Sequence, residues 1–214
     1  MYKREIFIFF GPPGSGKGTQ IEKLAQKINL PVISTGKLIR EEISKKTDLG
    51  ILIKKSVDNG ELLDDDIIFS IVKNKLGVLE KGVILDGFPR TKIQLEYLLS
   101  NILLENDKIY AILINVSDEE VISRLGGRRS CACGASYHIK YKKPKKENIC
   151  DLCGLELFIR DDEKIESIEK RLEEYYNNVS SMLDYWKKNN NLIEINGDQT
   201  IDEVNKDIFN YLNF

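Results

Sequence analysis

A glycine-rich loop near the N-terminus constrains the fold of this chain more than any other stretch. Residues 11–19 have the sequence GPPGSGKGT; they follow an apolar run at residues 6–10 and precede a helical pattern that begins at Lys17. Glycines permit backbone conformations that a Cβ forbids, so successive N–H groups can converge on one anion. The positive end of the next helix points to the same place, and the Lys17 ammonium can reach the β- and γ-phosphates of a nucleotide. This strand–loop–helix context predicts a phosphate-binding loop; a turn of the same composition without a ligand is the alternative.

Apolar strands alternate with helical patterns along most of the chain, which indicates a parallel sheet wound by right-handed crossovers. Strands are predicted at residues 6–10, 31–34, 82–85, 109–116 and 192–195. Helices are predicted at residues 17–28, 36–46, 49–59, 64–76, 91–101, 118–125, 161–189 and 201–211. Between Arg129 and Arg160, Cys, Gly, Tyr and Lys replace the helical periodicity, and this change indicates a small inserted domain.

The composition is that of a globular protein with no electrostatic attraction to nucleic acid or to anionic membranes. The 214 residues carry a formal net charge of −2, and 42% of them are hydrophobic. No apolar run approaches the roughly 18 residues that cross a bilayer, and no signal peptide precedes the first strand. We expect a cytoplasmic monomer with no nucleic-acid or membrane partner.

The four cysteines lie together in the inserted segment, as two closely spaced pairs. The pairs are Cys-x-Cys and Cys-x-x-Cys, separated by residues 134–149, and consist of Cys131, Cys133, Cys150 and Cys153. Two short pairs at this separation favour a structural zinc site with four thiolate ligands in a tetrahedron. Reduced cysteines without a metal, and a disulfide, are the alternatives.

Residues 34–40, STGKLIR, follow the second predicted strand. Ser34 or Thr35 is predicted to cap the helix that begins here, because a hydroxyl can accept from an unpaired N–H of the first turn. Taken alone, the stretch is an ordinary capped helix. Next to a phosphate-binding loop, Arg40 indicates a second phosphorylated ligand, which a guanidinium can bind through two hydrogen bonds.

Residues 83–90, VILDGFPR, end the third predicted strand. Asp86 stands where a fold of this type places the carboxylate that faces Mg²⁺, directly or through water. Gly87 permits close backbone approach, and Arg90 supplies a further guanidinium. Gln94 can recognise a base edge with one donor and one acceptor. The alternative interpretation is that these residues only form a turn.

Several arginines bracket the inserted segment: Arg124, Arg128, Arg129, Arg160 and Arg171. Any one of them could simply be solvated, but phosphoryl transfer needs positive charge over the equatorial oxygens, where one arginine contributes about 10³–10⁵ in rate. His138 is the only histidine. The sequence offers it no partner for a role as general base, and phosphoryl transfer depends mainly on positioning and charge neutralisation.

Taken together, these blocks closely resemble the adenylate kinase family in its long form, which carries a zinc-bearing lid. The matching strings are GPPGSGKGTQ, STGKLIR, LDGFPRTKIQ, GRR, YH and RDDE…KRL. The resemblance implies an α/β fold, a P-loop three-layer α/β/α sandwich with a five-stranded parallel sheet, a helical insertion that binds the nucleoside monophosphate and a small β-rich lid. The implied domain ranges are 1–34, 65–126 and 165–214 for the core, 35–64 for the helical insertion and 127–164 for the lid.

The family transfers the γ-phosphoryl of MgATP to AMP and yields two ADP, and the resemblance assigns residues to each part of that reaction. ATP would be bound by Gly14, Ser15, Gly16, Lys17, Gly18, Thr19, Arg124, Arg128, Tyr137, His138 and Gln199. AMP would be bound by Thr35, Arg40, Glu61, Leu62, Leu63, Gly87, Phe88, Pro89, Arg90, Gln94, Arg160 and Arg171. The catalytic set would be Lys17, Asp86, Arg90, Arg124, Arg128, Arg160 and Arg171, and Asp162 with Glu163 would hold the closed lid.

The chain departs from the family pattern at two places. Lys37 stands where the family commonly has Asp, and the first cysteine pair is one residue shorter than the usual Cys-x-x-Cys. Thr35, Thr91 and Gln94 favour AMP over UMP or CMP by the same resemblance. The rival functions are a kinase for another nucleoside monophosphate (UMP, CMP or GMP) and a nucleotide-binding zinc module without turnover.

Overall fold

A five-stranded parallel sheet forms the centre of the computed structural model, which describes residues 4–59, 61–73, 75, 81–163 and 165–214. Its strands are β1 (Glu5–Phe10), β2 (Val32–Ser34), β3 (Gly82–Asp86), β4 (Lys108–Asn115) and, after two lid strands, β7 (Leu192–Asn196). The spatial order is β2-β3-β1-β4-β7. The predicted strands and the predicted α/β fold class are confirmed.

Helices follow the strands in the predicted order. They are α1 (Lys17–Ile28), α2 (Thr35–Ser44), α3 (Asp48–Asp58), α4 (Asp65–Lys73), α5 (Lys92–Asn101), α6 (Asp118–Gly127), α7 (Ile165–Lys188) and α8 (Ile201–Leu212). The helix predicted at residues 161–189 is divided: residues 161–163 form a 3₁₀ turn, and the α-helix begins at Ile165. The predicted ranges also include residues 1–3, 60, 74, 76–80 and 164, which lie outside the described residues.

Side chains of β1 alternate between the two faces of the sheet, and helices bury both faces. Ile6, Ile8 and Phe10 belong to the apolar cluster that α4, α5 and the C-terminal half of α7 cover. Phe7 and Phe9 belong to the opposite cluster, which α1, α6 and α8 cover. Because all five strands are parallel, their carboxyl ends meet at one edge, where the connecting loops form a crevice.

Most of the inserted segment after α6 is a small β-rich unit. Strands β5 (Arg128–Ser130) and β6 (Ser136–His138) pair antiparallel, and single bridges join Ser130 to Phe158 and Ile149 to Glu156. The buried side chains of this unit are Cys131, Tyr137, Cys150 and Leu157. Residues 128–160 are called the lid below.

Candidate active site

The loop after β1 has the backbone that an anion-binding loop needs. Gly14 and Gly16 have φ of 79° and 89°, in the left-handed region. A Cβ on Gly14 would also lie 2.9 Å from Leu125 Cγ, so a side chain is excluded there on two grounds. Gly16 is the N-cap of α1, and no described side chain caps this helix end. The N–H groups of its first turn, which includes Lys17, Gly18 and Thr19, can therefore receive a phosphate.

Lys17 lies across this loop. Its Nζ donates to the carbonyls of Gly11 at 2.6 Å and Pro12 at 2.9 Å, and to Ser15 Oγ at 3.2 Å. Burial lowers the pKa of Lys17 to about 7, and attraction to Asp86 only partly offsets that effect. A phosphate that replaced the carbonyls would favour the charged ammonium, so binding of an anion and protonation of Lys17 reinforce each other.

The ends of β2 and β3 bring Thr35 and Asp86 together. Ser34 and Asp86 are register partners, and Ser34 Oγ donates to Asp86 Oδ2 at 2.8 Å. Thr35 Oγ1 donates to the Gly87 carbonyl at 2.8 Å. The prediction that Ser34 or Thr35 caps α2 is wrong: Ser34 is the N-cap residue, but its side chain makes no capping hydrogen bond. Both hydroxyls instead tie α2 to the segment that carries Arg90.

Cationic side chains from separate segments converge in the crevice: Lys17, Arg40, Arg90, Arg128, Arg160 and Arg171. Desolvation lowers the pKa of Arg40 and of Arg171 to about 10, and repulsion from Arg160 and Arg128 adds to it. Desolvation by the crevice walls likewise lowers the pKa of Arg90. These guanidinium groups remain charged at neutral pH. Their mutual repulsion makes the crevice a site for a polyanion.

Two buried carboxylates organise the arginines near the lid hinge. Asp162 Oδ1 accepts from Arg160 Nε at 2.7 Å, and Asp162 Oδ2 accepts from Arg171 at 2.9 Å. Burial opposes ionisation of Asp162, but Arg171 and Arg160 outweigh it and keep the pKa of the carboxyl below its ordinary value. Glu163 pairs with Arg128. Carboxylates thus already orient Arg128, Arg160 and Arg171.

Arg124 connects the phosphate-binding loop to the loop after β7. Its guanidinium donates to the carbonyls of Gly197 at 2.8 Å and Ser15 at 3.4 Å, while Glu120 accepts from its Nε at 2.7 Å. Gln199 belongs to the same loop after β7; its side chain donates to the Asn196 carbonyl at 2.9 Å. These contacts form one wall of the crevice beside the phosphate-binding loop.

The opposite wall contains Gln94, which is buried at the start of α5. Its amide bonds to the backbone N–H of Arg90 and to Asp65, each at 2.7 Å. Phe88 and Pro89 are buried beside it.

The segment before α4 is less buried than Gln94: Leu62 is half-buried, Leu63 packs on the core, and Glu61 pairs with Lys170 at 2.8 Å. Sequence reasoning missed Asp65, since nothing in the sequence places the start of α4 against α5.

Known proteins are similar to this chain in sequence over nearly its whole length. The sequence profile of the family described as "Adenylate kinase" matches residues 9–191. The adenylate kinase of Methanocella arvoryzae is 45% identical over 206 residues, which are 94% of this chain and 95% of the relative. Those of Petrotoga mobilis and Archaeoglobus fulgidus are 42% and 44% identical, with 96% and 94% of each chain covered.

The chain belongs to the adenylate kinase family. The crevice is consistent with this membership. The family transfers a phosphoryl group from one nucleotide to another, so it needs two phosphate sites that share a set of cations. Among the described residues, no helix is both long and apolar enough to cross a membrane.

The four lid cysteines form a cluster that could hold the expected metal ion. Their sulfur atoms all lie within 4.8 Å of one another, with Cys131 3.3 Å from Cys153 and Cys133 3.6 Å from Cys150. A tetrahedral zinc with Zn–S near 2.3 Å places its sulfurs about 3.8 Å apart. The four thiols thus fit a zinc ion in number and in spacing.

The pKa values of two of these thiols, Cys150 and Cys131, are shifted in opposite directions. Burial disfavours the Cys150 thiolate, yet hydrogen bonds from the Tyr137 hydroxyl and from the N–H groups of Cys153 and Leu152 outweigh it and lower its pKa to about 6. At Cys131 the N–H of Cys133 favours the thiolate, but burial and hydrogen bonds among the sulfurs raise its pKa to about 12. Neighbouring thiolates repel one another, and a divalent cation removes that repulsion.

Tyr137 and His138 lie on opposite sides of β6, and both side chains are engaged inside the lid or at its hinge. The Tyr137 hydroxyl lies 3.6 Å from Cys150 Sγ and accepts from the N–H of Asp151 at 2.8 Å. His138 Nδ1 accepts from the N–H groups of Lys140 and Tyr141 at 3.0 and 3.2 Å. Burial lowers the pKa of His138.

Proposed function

We propose that this chain reversibly transfers the γ-phosphoryl of MgATP to AMP by direct in-line displacement and yields two ADP. The observation that carries the proposal is the convergence of Lys17 and the crevice arginines between two walls. One wall is the phosphate-binding loop; the other contains Thr35 and Gln94. A simple nucleotide switch would need no second cationic pocket. Family membership supports the same reaction.

On the donor side, the loop N–H groups and Lys17 bind the ATP phosphates. The residues that bind these phosphates are Gly14, Ser15, Gly16, Lys17, Gly18 and Thr19, joined by Arg124 and Arg128. The backbone around Gln199 and around Tyr137 and His138 contacts the base or the ribose. Lys17 leaves the Gly11 and Pro12 carbonyls for phosphate oxygens, which compensate its buried charge.

On the acceptor side, Arg40, Arg90, Arg160 and Arg171 bind the AMP phosphate and its neighbour. Thr35, Gln94 and the segments 61–63 and 87–89 contact the base and ribose. Asp162 holds Arg160 and Arg171 in place before the ligand arrives, which lowers the entropy lost on binding. The cations then stabilise the charge that spreads over the transferring group.

Asp86 would hold Mg²⁺, directly or through water, beside the phosphate-binding loop. A carboxylate that keeps Oδ1 available while Ser34 bonds Oδ2 suits a hard cation that retains several waters. When bound, Mg²⁺ neutralises phosphate charge and orients the β- and γ-phosphates.

We also propose that the insertions at residues 35–64 and 127–164 close on the core, residues 1–34, 65–126 and 165–214, and exclude water from the transfer. The lid cysteines hold a structural zinc, which orders a unit with few buried side chains. A reducing cytoplasm keeps these thiols free for the metal, and the chain works there as a monomer without nucleic acid.

The test is an acceptor panel with MgATP, run on the parent and on two neighbouring variants. The rate of phosphoryl transfer to AMP is expected to exceed the rates to UMP, CMP and GMP. Arg128→Ala is expected to lower turnover about 10³-fold or more. Arg129→Ala is the matched control. Among the described residues, Arg129 donates hydrogen bonds to the carbonyls of Gly126 and Arg128, and strand alternation places its side chain on the opposite side of β5 from Arg128. A preference for another acceptor would support the rival kinases. Nucleotide binding without transfer to any acceptor would support the zinc module, and parental turnover in Arg128→Ala would contradict the role of that arginine.

A further inference from the structure

Gln94 is a buried amide whose two ends are both engaged. It is 2% exposed. Its Nε2 donates to Asp65 Oδ1 at 2.7 Å, and its Oε1 accepts from the Arg90 N–H at 2.7 Å. Thr91 completes the group: its hydroxyl donates to the Asp65 carboxylate at 3.0 and 3.1 Å, and accepts from the Gln94 N–H at 3.1 Å.

These partners permit one orientation of the amide. A carboxylate can only accept, and a backbone N–H can only donate. A rotation of the amide by half a turn would place its oxygen against Asp65 and its NH₂ against the Arg90 N–H. Both contacts would be repulsive in a site that excludes water, where unpaired polar groups are most costly. The order of donor and acceptor on Gln94 is therefore set by its neighbours.

The orientation of the Gln94 amide determines which base it can pair with. One N–H and one lone pair of the Gln94 amide remain after its contacts with Asp65 and Arg90. Adenine presents the N6 donor beside the N1 acceptor, and the amide oxygen and NH₂ can match them in that order. Guanine and hypoxanthine present the O6 acceptor beside the N1–H donor, so they fit the amide only after it has rotated.

We propose that Asp65 is a specificity-determining residue, which selects adenine over 6-oxopurines by fixing the orientation of Gln94. The inference rests on the proposed function, in which Gln94 contacts the base of AMP. Asp65 acts through Gln94 and does not touch the substrate. It is thus a positioning residue, and the readout that distinguishes it from a structural residue is a ratio between acceptors.

Asp65→Asn tests the proposal, because an amide of the same size can donate as well as accept and so removes one of the two contacts that oppose rotation of Gln94. The Arg90 N–H remains as the other contact. Asp66→Asn is the control. It removes the same charge from the same first turn of α4, and Asp66 is exposed. The measurement is kcat/KM for AMP and for IMP at saturating MgATP.

The ratio of kcat/KM for AMP to that for IMP is expected to fall about tenfold or more in Asp65→Asn, through a higher KM for AMP and a gain with IMP. Asp66→Asn should keep the parental ratio. Thr91→Val, which leaves the carboxylate but removes the hydroxyl that positions it, should give an intermediate ratio and serves as the test if Asp65→Asn does not fold. An unchanged ratio in Asp65→Asn or Thr91→Val, or an equal loss with both acceptors, overturns the proposal. A parent protein that does not phosphorylate AMP contradicts the proposed function instead.

Discussion

The core and the lid of this molecule are held together by different forces. The core sheet lies between two apolar clusters, and side chains such as Phe7 and Leu98 are fully buried in them. The lid has a single small cluster, half of which is cysteine, and it leaves Leu152 79% exposed. We therefore propose that apolar burial stabilises the core, whereas the lid depends on its cysteine cluster and on ion pairs at the hinge. Under this proposal, the lid moves without unfolding of the core.

The largest difference between the two regions is expected when the proposed zinc is removed. Chelation, or Cys150→Ser, should disorder the lid and lower turnover about 10³-fold or more, because the lid carries Arg128 and Arg160. The thermal transition of the core should stay near that of the parent. Circular dichroism, metal analysis and the coupled assay measure the three effects.

Lys143→Ala is the control for this experiment, since Lys143 is an exposed lid residue that lies between the two cysteine pairs and belongs to neither. A chelated protein with parental turnover would show that ion pairs alone order the lid. A lower thermal transition of the core would show that the two regions fold as one unit.

A second comparison removes similar apolar groups from each region. Leu98→Ala should lower the free energy of unfolding by about 3 kcal/mol, as for a buried leucine in a packed core, and leave metal retention unchanged. Leu157→Ala should weaken metal retention and leave the unfolding of the core unchanged. Trp186, the only tryptophan, is buried in the core and so reports on that region by fluorescence during urea unfolding. Equal effects of the two variants on Trp186 would contradict the separation.

Local patterns predicted the core well, because strand and helix periodicity and the phosphate-binding loop are visible over short stretches. Contacts between distant segments were not visible. The hydroxyls of Ser34 and Thr35 have a capping pattern, yet they bond to β3 and the loop after it, and Asp65 has the pattern of a helix start. Tyr137 is different: strand alternation places it on the opposite side of β6 from His138, so the sequence does hold a signal that one of them faces the lid interior.

The smallest expected effect concerns Tyr137. It tests whether a hydrogen bond to a cysteine sulfur strengthens metal binding by the lid. The Asp151 N–H occupies the phenol oxygen as acceptor, so the phenol proton is free for Cys150 Sγ at 3.6 Å. Tyr137→Phe should weaken metal binding about tenfold, at the low end of the effect of partners around metal ligands, as measured by competition with a colorimetric chelator. Tyr141→Phe is the matched control, since its hydroxyl bonds to Glu120 on α6 and not to sulfur. If both variants retained metal as the parent does, the four thiolates alone would account for the stability of the site. If both lost it equally, docking of the lid on α6, and not the bond to Cys150, would control metal retention.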